Sequence, residues 1–276
     1  MIREEATGIA YDASLVALTN PGAADDFFQR HRPRSAAAWC AEFSRLAYGD
    51  FATVLERSLS GVGFKLIAAP FDRDGTQGFL AEGPDFAVLA FRGSDDLAAW
   101  ANNLNALPAP WRGGGNAHRG FAAALDAVWP EVEAGLARTA GSLYFTGHSL
   151  GAALATLAAS LRPEAALYAF GSPRVADGCF EAATRHRPGY AARYVNHRDI
   201  VCRVPSARLG YRHIGKVYNI DRLGRVHDRR PHHRSVTELL TSAFEGRRWD
   251  FGALLAGGLP RDLTDHAPIN YVSALR

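Results

Sequence analysis

A glycine-flanked serine between a predicted strand and a predicted helix constrains the fold of this chain more than any other feature. The run FTGHSLGAA places Ser149 between Gly147 and Gly151. The run Ser142–Thr146 before it predicts a strand, and the alanine-rich run Leu150–Leu161 after it predicts a helix. So tight a turn strains the serine backbone and lifts its hydroxyl above the sheet. The helix N-terminus faces any developing oxyanion there, so the pattern predicts a nucleophilic serine.

Strand-like and helix-like runs alternate on both sides of this turn. A helix is predicted over Ser35–Tyr48, with Ser35 as its cap, and another over Arg119–Arg138, which Pro130 is expected to kink or divide. Further strands are predicted over Gly63–Phe71, Thr76–Ala81, Asp85–Phe91, Ala165–Phe170 and Ala192–Asn196. This order predicts an α/β fold, with a mostly parallel central sheet, an antiparallel edge from the early hairpin, and helices on both faces.

Composition and length predict a single globular domain. The chain has 276 residues, of which 47% are hydrophobic and 21% are charged, close to the averages of globular proteins. We predict an N-terminal extension over residues 1–34 and one domain over residues 35–276. The longest apolar run, Leu150–Leu161, is too short to span a bilayer, so no transmembrane segment is expected.

The first residues and the cysteines bear on the cellular compartment of the protein. Glu4 and Glu5 lie where a secretory leader would carry positive charge, so no targeting segment is expected. The cysteines Cys40, Cys179 and Cys202 are odd in number and widely spaced, which argues against a disulfide framework. Both observations favour a cytoplasmic localisation, with leaderless export left open.

The charge balance gives little reason to expect a nucleic-acid partner. The net charge is only +3 over the whole chain. One basic, histidine-rich run, Arg222–Arg234, could form a metal site or a patch for an anionic surface. It lacks nearby cysteines and regular ligand spacing, so we favour a solvated loop and expect neither metal nor cofactor.

A nucleophilic serine needs a histidine base and an orienting carboxylate, which follow the serine in this fold class. Asp199 lies just after a predicted strand, where open α/β sheets build their sites, and Asp177, Asp221 and Asp228 are its competitors. Position favours His266 only modestly among the histidines that follow Ser149, which are His186, His197, His213, His227, His232, His233 and His266. The residues alone leave the choice of base open.

Several segments together resemble the class 3 lipase family. The segments, in the family's order and at about its spacing, are Phe91–Asp95, Trp100, His118–Phe121, Gly147–Gly151, Phe170–Val175, Asn196–Asp199, and Asp265–His266 with Tyr271. The resemblance implies an α/β-hydrolase fold. It also implies that Ser149 is the nucleophile, Asp199 the triad acid and His266 the base, with His213 in a structural strand over Tyr211–Tyr218. The family's usual glycine and proline are replaced here by Ala176 and Ile200, which puts loop geometry in doubt rather than activity.

The same resemblance assigns the surroundings of the serine. Ser94 and Leu150 would form the oxyanion hole, and Asn103 matches a position that can hold the Ser94 hydroxyl. Residues 95–104 correspond to a lid, although a fixed surface helix is an equal alternative, and residues 222–264 to a variable cap. The residues predicted to bind substrate are Leu97, Trp100, His148 and Val201.

The sequence thus predicts a serine carboxylic ester hydrolase, a lipase or esterase, that cleaves lipid-like acyl esters without a cofactor. The expected partner is a small-molecule or lipid ester, with transient contact between the lid and a lipid interface. The alternatives are a feruloyl-type esterase, a phospholipase A1, or a catalytically silent hydrolase scaffold that binds a ligand. Nothing in the sequence predicts an oligomeric state.

Overall fold

The computed structural model describes residues 9–23, 26–29, 32–94, 107–228 and 261–276. Its helices are α1 (Leu15–Thr19), α2 (Ala36–Leu46), α3 (Glu56–Ser60), α4 (Arg119–Leu136), α5 (Leu150–Leu161), α6 (Gly178–Thr184), α7 (Arg261–Thr264) and α8 (Pro268–Leu275). A π-helical segment spans Phe51–Leu55, and 3₁₀ turns span Val201–Arg203 and Ala207–Leu209. The strands are β1 (Lys65–Leu66), β2 (Phe71–Arg73), β3 (Thr76–Glu82), β4 (Phe86–Phe91), β5 (Pro108–Pro110), β6 (Asn116–His118), β7 (Ser142–His148), β8 (Ala166–Phe170), β9 (Ala191–Asn196), β10 (Lys216–Ile220) and β11 (Val226–His227).

The central sheet of the described residues has the order β1-β3-β4-β7-β8-β9-β10-β11, with β2 also paired to β3. Strands β4, β7, β8, β9 and β10 run parallel to one another, which places their carboxyl ends at one edge. The pairings of β1, β2 and β4 with β3 are antiparallel. The predicted α/β fold with a parallel centre and an antiparallel early edge is confirmed. The antiparallel pair β10–β11 adds a second such edge that the sequence did not indicate.

Helices pack on both faces of the sheet. On one face, α4 and α5 bury Leu125, Val128 and Leu154 against the strands. On the other face, α2 places Phe43 and Leu46 in a second cluster with residues of β3 and β4. Ser35 caps α2 as predicted, since its side chain accepts a hydrogen bond from the Ala38 N–H at 3.2 Å.

Two local predictions need correction. Helix α4 continues through Pro130 as one helix, because Pro130 lies on the exposed face, where water can bond the carbonyl that loses its donor. The strand predicted over Tyr211–Tyr218 instead begins at Lys216, because Gly215 has a φ of +80°, which extended chain does not adopt. His213 therefore lies before the strand, with its Nε2 2.8 Å from the Cys202 carbonyl oxygen.

The described part of the predicted N-terminal extension packs onto the rest of the fold. Phe27 is 2% exposed and lies in the same cluster as Phe43. Ile9 is buried in a third cluster with Tyr271 and Val272 of α8. Residues before Ser35 thus share the hydrophobic core.

Candidate active site

Ser149 occupies the turn that its sequence surroundings predict. It joins β7 to α5 with a φ of +58° and a ψ of −124°, a conformation that costs a residue with a side chain about 1–3 kcal/mol. The flanking glycines are sterically required: a Cβ on Gly147 would lie 2.2 Å from the Gly151 carbonyl carbon, and one on Gly151 2.2 Å from the Phe91 carbonyl oxygen. The Ser149 N–H donates to the Phe170 carbonyl at 3.0 Å, which ties the strained turn to β8.

The carboxylate of Asp199 and the imidazole of His266 form a fully buried pair. The Asp199 Oδ2 lies 2.8 Å from the His266 Nδ1, although the two residues are 67 positions apart. Asp199 follows β9, and His266 occupies the turn between α7 and α8. Because Nδ1 faces a carboxylate, it carries the proton, and Nε2 is left as the basic nitrogen.

Three donors hold the Asp199 carboxylate in its ionised form. Besides His266, the Tyr271 hydroxyl donates to Oδ2 at 2.5 Å, and the Val201 N–H donates to Oδ1 at 2.9 Å. Burial alone would raise the pKa of Asp199, but the adjacent His266 and these hydrogen bonds outweigh it, and the pKa stays below its ordinary value. Burial raises the pKa of the Tyr271 phenol, so that group remains a donor.

A second buried histidine braces the backbone of His266. The His148 Nε2 lies 2.6 Å from the His266 carbonyl oxygen, which can only accept, so this nitrogen carries the proton. Burial, and next the neighbouring His266, keep the pKa of His148 well below its ordinary value, so the ring is neutral. Its Nδ1 therefore accepts from the Tyr48 hydroxyl, 2.9 Å away. The result is a chain of hydrogen bonds from α2's C-terminal turn to the base.

Two polar atoms of this cluster have no hydrogen-bond partner among the residues that the structure describes. They are the Ser149 Oγ and the His266 Nε2, and both are buried. Buried polar atoms are nearly always satisfied in folded proteins, so unsatisfied ones call for a functional explanation. A hydroxyl and a basic imidazole nitrogen that are both buried and unsatisfied are the two groups that proton transfer from a nucleophilic serine requires.

The backbone of β4 passes close to the serine. A Cβ on Gly93 would lie 2.7 Å from the His148 carbonyl oxygen and 1.9 Å from the Tyr48 hydroxyl, so the FRGS segment packs directly on the end of β7. Ser94 is the next residue, and Leu150 follows the serine as the first residue of α5. This placement puts both predicted oxyanion donors in segments that adjoin Ser149.

The predicted substrate-binding residues fall into two groups. Leu97, Trp100 and the predicted lid over residues 95–104 lie outside the described residues, as do Asn103 and most of the predicted cap over 222–264. His148 is 2% exposed, and both of its ring nitrogens are bonded within the protein. Val201 is 3% exposed, and its side chain lies in the main core. The side chains of His148 and Val201 are thus buried, as are those of Ser149 and His266, and their role in binding substrate stays a prediction.

The competing acids each have a local structural task. Asp177 caps α6 and bonds Asn116, Asp221 closes the β10–β11 turn, and Asp228 pairs with Lys216 at 3.9 Å. Three of the competing histidines are engaged elsewhere: His197 faces Asp265, His213 the Cys202 carbonyl oxygen, and His227 Asp221. Sequence reasoning missed the supporting residues Tyr48 and Gly171.

Gly171 lies directly against the acid–base pair. It has a φ of +58°, and a Cβ there would lie 3.0 Å from both the Asp199 Oδ2 and the His266 Nδ1. A glycine after a buried strand, in the run Phe170–Val175 that entered the family resemblance, was the signal available in the sequence.

Across the described ranges, no three His, Cys, Asp or Glu side chains are grouped to hold a metal ion. Nor does any helix described there combine the length and the apolar character that crossing a membrane requires. The three cysteines are unbridged.

Curated relatives match about half of the chain. A secreted mono- and diacylglycerol lipase 1 of Fusarium solani is 34% identical over 145 residues, which are 49% of this chain and 44% of the relative. A lipase of Rhizomucor miehei is 34% identical over 150 residues, 47% of this chain and 40% of the relative. The chain therefore spans less than half the length of these relatives.

These relatives contradict the predicted cytoplasmic localisation. The Fusarium solani relative and two Penicillium relatives that are 35% identical are all named secreted lipases. The prediction was wrong because it depended on the charge of the first residues and on an odd cysteine count, and a fold stabilised by its hydrophobic core needs no disulfides in either compartment.

A solved lipase structure and a family profile also match this chain. A Rhizomucor miehei lipase propeptide complex superposes with a TM-score of 0.59 at 25% identity, covering 69% of this chain and 69% of that chain. The profile of the family described as Lipase (class 3) matches residues 88–209, a segment that contains Ser149 and Asp199 and ends before His266. In its strained serine turn, its α/β-hydrolase fold and these matches, the chain is similar to the class 3 lipase family over residues 88–209.

Proposed function

We propose that this protein is a serine carboxylic ester hydrolase, a lipase or esterase that cleaves lipid-like acyl esters. The observation that carries the proposal is that the Ser149 Oγ and the His266 Nε2 are both buried and unsatisfied among the described residues, while Asp199 orients the His266 imidazole. The match to the class 3 lipase profile and the lipase names of the relatives support the same class of reaction.

In the first step, the Ser149 Oγ attacks the ester carbonyl carbon while the His266 Nε2 takes the hydroxyl proton. The carbonyl electron pair moves onto oxygen and gives a tetrahedral oxyanion. When that pair returns, the ester C–O bond breaks, and His266 protonates the leaving alcohol. Water then attacks the acyl-enzyme with His266 again as base, which releases the carboxylic acid and restores the serine.

The Asp199 carboxylate remains ionised throughout this cycle. Its low pKa lets it stabilise the imidazolium that forms when His266 accepts the serine proton. We propose the N–H groups of Ser94 and Leu150 as the oxyanion hole; one such donor contributes about 2.7–4 kcal/mol of transition-state stabilisation. The predicted lid and its contact with a lipid interface belong to the same proposal, as does a catalytic domain spanning residues 35–276.

Substitution of the serine tests the proposal. We expect Ser149→Ala to lower kcat by about 10⁴–10⁶ without unfolding the chain, because the nucleophile is lost and the core is unchanged. The matched control is Ser160→Ala in helix α5. The Ser160 hydroxyl accepts from the Trp111 indole N–H at 2.8 Å, and the variant should keep full activity. A Ser149→Ala enzyme that retains a tenth of the wild-type turnover would refute the assignment.

The substrate class is tested with p-nitrophenyl esters from acetate to palmitate, with methyl ferulate and with phosphatidylcholine. Turnover that peaks on long chains supports a lipase, and a peak on acetate or butyrate indicates a small-ester esterase. Preference for methyl ferulate or for phospholipid sn-1 release would replace the lipid-ester substrate. A folded wild type that neither turns over esters nor reacts with an organophosphonate would be a binding scaffold.

A further inference from the structure

A second buried carboxylate, that of Asp265, lies next to His266 in the chain. It is 1% exposed, and its two oxygens face different segments. Oδ2 accepts from the Arg198 N–H at 3.1 Å and lies 3.0 Å from the His197 Nδ1. Oδ1 accepts from the Tyr11 hydroxyl at 2.8 Å. The carboxylate thus joins the end of β9 to the N-terminal segment, with the turn that carries the base between them.

These bonds connect the same two loops that the triad connects. Asp265 bonds residues 196–198 immediately before Asp199, and its own backbone carbonyl accepts from the Asn196 side chain at 2.8 Å. His266 then bonds Asp199 itself. Because consecutive residues on each loop are paired, the contacts of Asp265 fix how far apart the imidazole and the triad carboxylate lie.

The N-terminal segment also bonds the turn that carries His266. The Tyr11 hydroxyl also lies 2.8 Å from the Thr264 Oγ1, on the residue before Asp265. The Asp12 N–H donates to the Asn270 side-chain oxygen at 2.7 Å. The Asn270 amide in turn donates to the carbonyls of Asp12 and Thr264, both at 2.8 Å. Residues 11 and 12 therefore hold both ends of the turn that contains His266.

The backbone at the β9 end indicates that this pairing is specifically maintained. His197 has a φ of +39°, a conformation that residues with side chains adopt rarely and that persists only where the surroundings enforce it. Its N–H donates to the Ile220 carbonyl at 2.7 Å, while its ring faces Asp265. The strained residue thus aims its imidazole at the carboxylate.

We propose that Asp265 is a positioning residue for the catalytic base, held in place by Tyr11 of the N-terminal segment. The inference rests on the proposed ester hydrolysis for its kinetic consequence only. The segment that the sequence analysis placed outside the catalytic domain is then part of the support of the triad.

Four variants test it: Asp265→Ala, Asp265→Asn, Tyr11→Phe and the control Asp177→Ala. Asp177 is matched because its carboxylate likewise joins two segments, through Asn116 and the Phe180 N–H. Two quantities are measured in each folded variant. One is the low-field proton resonance of the His266 Nδ1–H, assigned by its loss in His266→Gln; the other is kcat and KM on a p-nitrophenyl ester.

For Asp265→Ala we expect the low-field resonance to shift or broaden and kcat to fall about 10–100-fold at nearly constant KM, since displacement of a catalytic group by about 1 Å costs that much. Tyr11→Phe should show a smaller change of the same kind. Asp265→Asn should retain the resonance and most of the turnover, because the amide oxygen still accepts from the Arg198 N–H and the amide N–H₂ still donates to the Tyr11 oxygen.

An unchanged resonance and a kcat like that of Asp177→Ala would overturn the proposal. So would an Asp265→Asn variant as impaired as Asp265→Ala, since charge and not position would then be responsible. If Asp265→Ala does not fold, Tyr11→Phe decides, because Tyr11 is 42% exposed and its loss leaves the core intact. If wild type hydrolyses no ester, the proposed function fails, while the resonance still tests the positioning.

Discussion

Removal of a single hydroxyl group, by Tyr271→Phe, tests how the triad acid is supported. The Tyr271 hydroxyl donates to the Asp199 Oδ2 at 2.5 Å and accepts from the Asn196 N–H at 3.1 Å. Phenylalanine fills the same space, because Tyr271 is fully buried against Phe170 and His148. The change therefore removes two hydrogen bonds without opening a large cavity.

The expected loss of stability follows from these two bonds. A hydrogen bond to a charged group contributes about 1.5–3 kcal/mol, and a buried N–H left without its acceptor costs about 1–3 kcal/mol. Both effects come from one oxygen atom and overlap, so we expect the free energy of unfolding to fall by about 3 kcal/mol. Urea denaturation at neutral pH measures it, with Tyr190→Phe as the control. The Tyr190 hydroxyl bonds Tyr218 at the surface, and its loss should cost less than about 1 kcal/mol.

The same substitution should change the pH dependence of stability. Tyr271 is one of the groups that hold the pKa of Asp199 below its ordinary value. A lowered carboxyl pKa gives stability that is complete above the ordinary value of about 3.9 and is lost as pH falls through the folded-state pKa. The difference in unfolding free energy between wild type and Tyr271→Phe should therefore be largest at neutral pH and shrink below about pH 4. An unfolding free energy at neutral pH equal to that of Tyr190→Phe would refute this account of Asp199.

Two further predictions concern the residues behind the triad. His148→Gln should make the free energy of unfolding depend less on pH below about pH 6.5. In wild type the pKa of His148 is lowered by burial, so the unfolded chain binds this proton more readily than the folded protein does. The free energy of unfolding is therefore complete above about pH 6.5 and falls below it by at most about 1.4 kcal/mol per pH unit. Urea denaturation at about pH 7 and about pH 5 checks it, and equal slopes for both proteins would contradict it. Gly171→Ala should cost about 1–2 kcal/mol for its left-handed backbone and should lower kcat more than tenfold, because the added Cβ presses on Asp199 and His266. Gly178→Ala, which meets open space at the start of α6, is the control for both measurements, and equal kcat values in the two variants would argue against the contact.

The serine turn could be predicted because its determinants are local. Gly147, Ser149 and Gly151 lie within five positions, and the steric requirement that each glycine meets comes from the turn itself or from the adjacent strand β4. The buried strands were likewise evident as continuous apolar runs, because a parallel sheet covered on both faces excludes polar residues from its centre. Local sequence therefore defined the nucleophile and the sheet that presents it.

The partners of the serine depend on contacts between distant residues. Local sequence favoured Asp199 over Asp177 by its place after a strand, but it favoured His266 only modestly, and the family resemblance made that choice. The structure explains the ambiguity: Asp177 uses its carboxylate to cap α6, a task that any strand-to-helix loop can assign to an aspartate. Which carboxylate meets an imidazole is decided by how β9 and α8 pack, and no local pattern encodes that.

The orientation of His148, by contrast, follows the strand period. The residue was predicted to bind substrate, yet its Nδ1 meets the hydroxyl of Tyr48, which follows α2 and lies 100 residues earlier. Thr146, two positions before His148 in β7, contacts the Ser44 hydroxyl of α2. Because alternate residues of a strand point to the same face, both side chains face α2. Which helix covers that face depends on contacts between distant residues.

A fully buried carboxylate is stable only if its hydrogen-bonding capacity is met, and this requirement links the fold of the protein to its chemistry. Asp199 meets it with donors from three segments: Val201 beside it, Tyr271 from α8, and His266. Each donor also fixes the direction of the carboxylate. The interactions that stabilise the buried Asp199 therefore also orient the His266 imidazole, whose Nε2 is left unsatisfied. Satisfying that last nitrogen with a fourth internal partner would stabilise the fold and remove the base. The unsatisfied nitrogen is thus the part of the network that stability alone would not select, which is why we assign it to the reaction.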